Sequence, residues 1–181
     1  MLYLWRKPPK NSVPLLRKNK KINDTRLKKD LHFRPIQLTD MTFLQVVYGN
    51  TRTDIHNNLA LTAEQKNVFL QHQFHAQHTH YQSHYKGANF DLVLLKKKPV
   101  GRLYIHRQKE EIRIIDIALL PDYQNQGIGT FLLKNIMQEA KKDDKIVSLH
   151  VEKMNPALKL YERLGFKRKA EVGFRFLLEW K

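Results

Sequence analysis

Cysteine is absent from the 181 residues, so a disulfide scaffold, a thiolate zinc centre and a cysteine nucleophile are all excluded. Acidic side chains are scarce, 17 Asp and Glu beside 33 Lys and Arg. The resulting net charge of +16 counts against polycationic substrates such as polyamines or aminoglycosides, which need clustered carboxylates. No apolar run approaches the roughly 18 residues that span a bilayer; the longest are Leu92 to Leu95 and Ile114 to Leu120, the second broken by Asp116. Leu2 to Trp5 is too short for the apolar part of a cleaved leader and runs into Arg6 and Lys7. The expected location is the cytoplasm. What is present, 41% hydrophobic and 10% aromatic residues, is enough to close a core, which excludes a disordered or low-complexity chain. The length suits one domain.

The charge is unevenly spread. Residues 1–30 carry ten basic side chains against Asp24 and Asp30, with Pro8, Pro9 and Pro14 and no amphipathic period. This stretch reads as a basic N-terminal extension: an electrostatic handle for nucleic acid or an anionic surface, or a solvated tail. The folded domain is expected over residues 31–181.

Periodicity then divides the chain. His32 to Ile36 reads as a short strand, and Thr39 as the N-cap of a helix presenting Met41, Leu44 and Val47. Thr62, with Gln65 at the capping-box position, opens a long helix from Ala63 to Tyr85, along which Leu70, Phe74, Gln77, Tyr81 and Tyr85 form one stripe. Three antiparallel strands follow, Phe90–Lys96, Val100–Arg107 and Ile112–Leu120, the first two joined by a hairpin through Lys97-Lys98-Pro99. A helix over Gly127–Lys142, a buried strand over Lys145–Glu152 and a short helix ending at Leu164 come next. Val172, Phe174, Phe176, Leu178 and Trp180 alternate as one strand with a buried face. The order β-α-α-β-β-β-α-β-α-β-β predicts an α/β fold with a mixed, mostly antiparallel sheet flanked by helices.

The stretch most informative about chemistry is the passage from the strand ending at Leu120 through Pro121 and Gln124-Asn-Gln-Gly-Ile-Gly-Thr130 into a helix. The first turn of that helix leaves backbone N–H groups without partners, and the helix dipole adds positive charge there. Gly127 and Gly129 remove side chains that would hold a diphosphate away. With one G-x-G after an antiparallel meander and no Gly-Lys-Ser/Thr, the passage is neither a Rossmann nor a Walker loop.

Gln124-Asn-Gln-Gly-Ile-Gly129 resembles the Q/R-x-x-G-x-G/A signature of the GNAT superfamily of acyl-CoA-dependent N-acetyltransferases. Asn155-Pro-Ala-Leu-Lys-Leu-Tyr-Glu-Arg-Leu-Gly-Phe166 resembles that family's later segment. The resemblance implies a fold of this class and a transferase (acyltransferase, N-acetyltransferase) with acetyl-CoA as co-substrate and no metal. It implies diphosphate binding at Gln126, Gly127, Ile128, Gly129 and Thr130, with Gln124 at the first signature position. It also implies main-chain pairing of Leu119 and Leu120 with the pantetheine arm, a cofactor contact from Asn155, and Tyr161 as general acid to the departing thiolate. Without cysteine, direct attack by a primary amine in a ternary complex is favoured over an acyl-enzyme. The base stays open among Glu111, Asp116, His150 and Glu152, since Arg113 stands where some relatives have a glutamate. Regular pairing would give Glu111 and Arg113 one face and Asp116 the other.

Five of the nine histidines, His72, His75, His78, His80 and His84, fall in the long helix at spacings of three or four. No carboxylate completes a metal site between Gln65 and Asp91. The family resemblance puts this helix beside the acceptor, so Gln73, Gln77, His80, Tyr81 and His84 are candidate substrate residues. Small-molecule and protein amines both remain open as acceptors, and a dimer is compatible with the sequence. The alternative function is a non-catalytic GNAT-fold module binding nucleic acid through the basic tail.

Overall fold

The structure is a computed structural model that describes residues 22–57 and 60–181. Seven strands form one sheet in the order β1-β2-β3-β4-β5-β7-β6: β1 Leu31–Pro35, β2 Asn89–Leu95, β3 Lys98–Arg107, β4 Glu111–Leu119, β5 Ile146–Glu152, β6 Lys167–Val172 and β7 Arg175–Trp180. Every neighbouring pair is antiparallel except β4 with β5, which agrees with the mixed, mostly antiparallel α/β fold expected. The single parallel pair needs a crossover, and α5 (Ile128–Lys142) supplies it.

Each face of the sheet has its own cover. Ile128, Leu132, Leu133, Ile136 and Ala140 recur at helical spacing along α5 and bury against Ile112, Ile114, Val147, Leu149 and Val151. On the other face α2 (Met41–Thr51) and α4 (Ala63–His84) bury Leu44, Tyr48, Leu70 and Phe74 with Leu92. A four-residue helix, α3 (Thr53–His56), joins them. α4 starts as expected: Thr62 Oγ1 accepts from the Gln65 N–H at 3.2 Å, and Gln65 Oε1 accepts from the Thr62 N–H at 2.8 Å.

Several local expectations are corrected. Thr39 does not cap α2: Leu38–Asp40 forms a single 3₁₀ turn whose N-cap is Gln37, α2 follows with Asp40 at its own N-cap, and Asp40 accepts from the Gln37 N–H at 2.7 Å while pairing with Arg34. The first hairpin turns on Lys96 and Lys97, at φ 50° and 67°, and not through Lys98-Pro99, which enter β3. Two successive positive φ angles give the turn whose twist suits a two-residue hairpin. The last alternating segment is not one strand. It breaks at Gly173 (φ 58°) and Phe174, Val172 pairs with Arg175, and Phe174 is 63% exposed. The two-residue turn shifts the alternation by one residue: Val172 shares a face with its partner Arg175, and Phe176 with Glu171, so the even spacing of Val172, Phe174 and Phe176 in sequence does not mark one face.

A helix also precedes β1. In α1 (Asp24–Asp30), Asn23 caps the first turn by accepting from the Arg26 N–H at 2.8 Å, and Leu27 is fully buried in the α5-side core. The folded part therefore reaches at least to Ile22, ahead of the start expected at Leu31. Most of the basic extension, residues 1–21, lies outside the described residues. Truncating Leu27 to Ala should cost about 2–5 kcal/mol of unfolding free energy. Urea titration measures this, and a cost near zero would mean that α1 is dispensable to the core.

Candidate active site

The site begins with a break in the sheet. β4 and β5 pair in register from Glu111 with Ile146 to Ile114 with Leu149, and no pairing joins them beyond, although β4 runs on to Leu119 and β5 to Glu152. The break coincides with a bulge. Ile105 pairs with Ile114 and Tyr104 with Asp116, which leaves Ile115 without a counterpart on β3. A bulge bends its strand and shifts the alternation by one residue. Before it Ile112 and Ile114 face the α5 core; after it Ile117 and Leu119 do. Asp116 therefore comes onto the same face as Glu111 and Arg113, which corrects the opposite placement expected from regular pairing.

Past the bulge β4 offers a bare main-chain edge. The Leu120 N–H donates to Val100 O on β3 at 2.9 Å, so the backbone groups of Leu119, one residue earlier, point the other way, into the gap. The Leu119 carbonyl accepts from Gln124 Nε2 at 2.8 Å. Of the two residues expected to pair with a ligand arm, Leu119 has the orientation and Leu120 is committed to β3.

In the loop that follows, the N–H groups of Tyr123 and Gln124 are used in its first turn, and those nearer the helix are open. Pro121–Tyr123 makes one 3₁₀ turn, Asn125 (φ 58°) and Gly127 (φ 91°) take left-handed conformations, and Gln126 Nε2 donates to Asp122 O. The Gly127 carbonyl accepts from the Phe131 N–H at 2.9 Å, and the Gln126 carbonyl accepts from the Ile22 N–H at 3.0 Å. The N–H groups of Gln126, Gly127, Ile128, Gly129 and Thr130 donate to no acceptor among the described residues. These five orphan donors at the start of a 15-residue helix form a cluster suited to an anion. A side chain at Gly129 would meet Leu160 at 3.7 Å, so the first turn of α5 abuts α6 (Leu158–Arg163).

Tyr161 lies on α6, 6% exposed, with its ring edge-on to Phe166 at 5.7 Å. Burial first, and the Asp116 charge second, push its phenol well above the ordinary tyrosine range. It is protonated at neutral pH. Asn155 shapes the turn before α6, its Oδ1 accepting from the Ala157 N–H at 2.9 Å, which leaves its NH₂ group uncommitted among the described residues.

On the α4 side of the gap lies a buried polar cluster. Arg102, 2% exposed, donates to Asp116 Oδ1 and Oδ2 at 3.2 and 2.8 Å and to Gln77 Oε1 at 2.9 Å, while the Tyr81 hydroxyl lies 3.5 Å from Asp116 Oδ2. The Tyr81 phenol is pushed up by burial and then by Asp116. Asp116 is thus spent on Arg102. Glu111 accepts from Ser148 and lies 3.0 Å from Arg113 Nε. Arg113 also donates toward His150 Nδ1 at 3.3 Å. His150 is exposed at its edge on the free face of β5, and partial loss of water around the ring, then Arg113 and Arg175, holds its pKa below the ordinary imidazole value.

Not all candidate substrate residues meet here. Gln77 and Tyr81 reach the cluster; Gln73 is exposed on the outer groove of α4 with Leu61, Val68 and Phe69, and His80 is exposed and stacks on His84 at 5.2 Å. Among the described residues no three His, Asp or Glu side chains come together as a metal set. Three site neighbours escaped the sequence reading: Arg102, Arg175 and Ile22. A lone arginine inside the apolar run Val100–Ile105 is a signal for Arg102, because a buried guanidinium demands an acid on the adjoining strand. Ile22 acts through its backbone and leaves no such mark.

Comparison with known proteins gives the site a family. Residues 56–166 match the model of the acetyltransferase (GNAT) family. Cysteine-rich protein 2-binding protein of Mus musculus is 32% identical over 87 residues, 46% of this chain and 11% of that protein. [Ribosomal protein bS18]-alanine N-acetyltransferase of Haemophilus influenzae is 41% identical over 67 residues, 36% of this chain and 44% of that enzyme. The chain thus matches less than half the length of these curated relatives. In fold it resembles the PaiA N-acetyltransferase of Thermoplasma acidophilum in complex with coenzyme A, with a TM-score of 0.62 and 18% identity over 83% of this chain and 98% of that one. No helix among the described residues is long and apolar enough to cross a membrane. With the family model running from the end of α3 to Phe166, across the bulged strand, the orphan-donor loop and Tyr161, the chain belongs to the acetyltransferase (GNAT) family.

Proposed function

We propose that this protein acetylates the α-amino group of a protein or peptide N-terminus, using acetyl-CoA in a direct, ternary-complex transfer. The observation that carries the proposal is the run of five undonated N–H groups from Gln126 to Thr130 beside the bare edge of β4. These residues fit a diphosphate: the donors follow one another into a helix start, and Gly127 and Gly129 carry no side chain. Leu119 would hold the pantetheine main chain from the gap, and the Asn155 NH₂ group would reach the cofactor from the other side. Acetyl-CoA would supply the activated acyl group as a thioester. The acceptor class rests on the bS18-alanine relative, because the only amine of a protein alanine is a terminal α-amino group.

The chain's own residues then divide the proton work. Tyr161, protonated and buried, gives its proton to the departing thiolate. His150 takes one from the attacking amine: Asp116 is tied to Arg102 and Glu111 to Arg113 and Ser148, and of the two that remain, His150 and the exposed Glu152 at the end of β5, His150 is the one whose pKa is held below the ordinary imidazole value. Protonation at Nδ1 requires Arg113 to release that nitrogen, and Glu111, 3.0 Å from Arg113 Nε, keeps the guanidinium paired. Gln77 and Tyr81 border the acceptor side, with Gln73 and His80 further out on α4. The basic extension and the charge of +16 favour a second role, in which the tail contacts nucleic acid or an anionic surface.

Thiol release from acetyl-CoA in the presence of N-terminal peptides tests the reaction. Tyr161→Phe should lower kcat about 10²- to 10³-fold with CoA affinity intact; an unaltered rate would reject Tyr161 as the acid. Because His150 must be neutral to act, kcat/KM should fall only as pH drops below about 6.5, the ordinary imidazole value. Removing one of the two nearby cations, by Arg113→Gln, should move that acid limb to higher pH. A limb that stays in place in Arg113→Gln, or persists in His150→Gln, would assign the base elsewhere.

A further inference from the structure

We infer that Ile22 is a positioning residue for the cofactor loop, acting through its main-chain N–H. The inference rests on the diphosphate reading of residues 126–130. The Ile22 N–H donates to the Gln126 carbonyl at 3.0 Å, and the Ile22 carbonyl lies 3.5 Å from where a Cβ on Gly127 would stand. Gln126 C=O and Gly127 N–H belong to one planar trans peptide, in which the two groups point in opposite directions. Fixing the carbonyl toward Ile22 therefore aims the Gly127 N–H away from Ile22. Nothing else among the described residues holds that carbonyl.

Ile22 is itself held firmly. Its side chain packs on the α5-side core, the Asn23 carbonyl accepts from the Leu27 N–H at 3.0 Å, and Leu27 is fully buried. The brace thus connects the interior of the domain to one peptide plane of the loop. A left-handed glycine such as Gly127 (φ 91°) has wide backbone freedom and would otherwise rotate that plane cheaply. The basic extension also enters the fold at this point, with Lys20 and Lys21 immediately ahead of the brace.

Three variants of the full chain separate the N–H from the side chain. Ile22→Pro deletes the donor, replacing the Ile22 amide by an ester deletes it while keeping the side chain, and Ile22→Ala keeps the donor while trimming the packing. Calorimetry with CoA should show about tenfold weaker binding in the proline and ester forms and a change of no more than about twofold in the alanine form. KM for acetyl-CoA should rise with kcat preserved. An ester form that binds like the unaltered chain would overturn the inference alone, as would an alanine form weakened as much as the ester. No CoA uptake by the unaltered chain would overturn the diphosphate reading and this inference together.

Discussion

Beyond Ile114 the main chain of β4 has a partner on one side only, and the rest of the structure is arranged around that open edge. The bulge at Ile115 has two effects there. It bends β4 away from β5, so that a gap opens between parallel strands that would otherwise close on each other. It also shifts the alternation, which delivers Asp116 to the α4 side and keeps Ile117 and Leu119 in the core. An unpaired strand edge inside a protein is costly unless something completes it. A ligand arm with amide groups of its own is one such complement, and the orphan donors of the loop lie at the end of the same edge.

Electrostatics place a second constraint on the site. Arg102 and Asp116 are both withdrawn from water, and a buried pair returns little net stability because desolvation offsets attraction. Its geometry is nonetheless specific. Two oxygens of Asp116, the Gln77 amide and the Tyr81 hydroxyl converge near one guanidinium, which fixes the register of α4 over β3 and β4. Asp116 is occupied by this pairing, and the proposed mechanism gives the amine's proton to the exposed imidazole of His150. On a larger scale the charge of +16 would draw a polyanionic cofactor toward the protein.

Much of this was legible in the sequence, and what was missed has particular physical causes. The two glycines and the helix after Leu120 announced the donor loop, since orphan N–H groups and absent side chains are local properties. The stripe Leu70, Phe74, Gln77, Tyr81 marked the buried face of α4 because helical spacing dictates which side chains share a face. The bulge could not be read, because it is set by pairing with β3 and Ile115 looks like any strand residue. The turn at Lys96-Lys97 sits one residue ahead of its expected place because Pro99, a turn former, stands in β3, and the turn at Gly173-Phe174 was hidden by apolar residues whose even spacing in sequence the strand pairing does not follow. α1 was hidden within a charged stretch in which Leu27 is the one residue buried in that helix. The Ile22 brace is a main-chain bond, which no residue type encodes.

The central claim is that residues 126–130 and the edge of β4 together hold coenzyme A, and a crystal structure of the complex tests it most directly. The account predicts diphosphate oxygens within about 3 Å of N–H groups between Gln126 and Thr130, with the pantetheine lying along Leu119 in the gap. Density for the diphosphate at another surface, or a pantetheine that leaves the edge of β4 untouched, would contradict it.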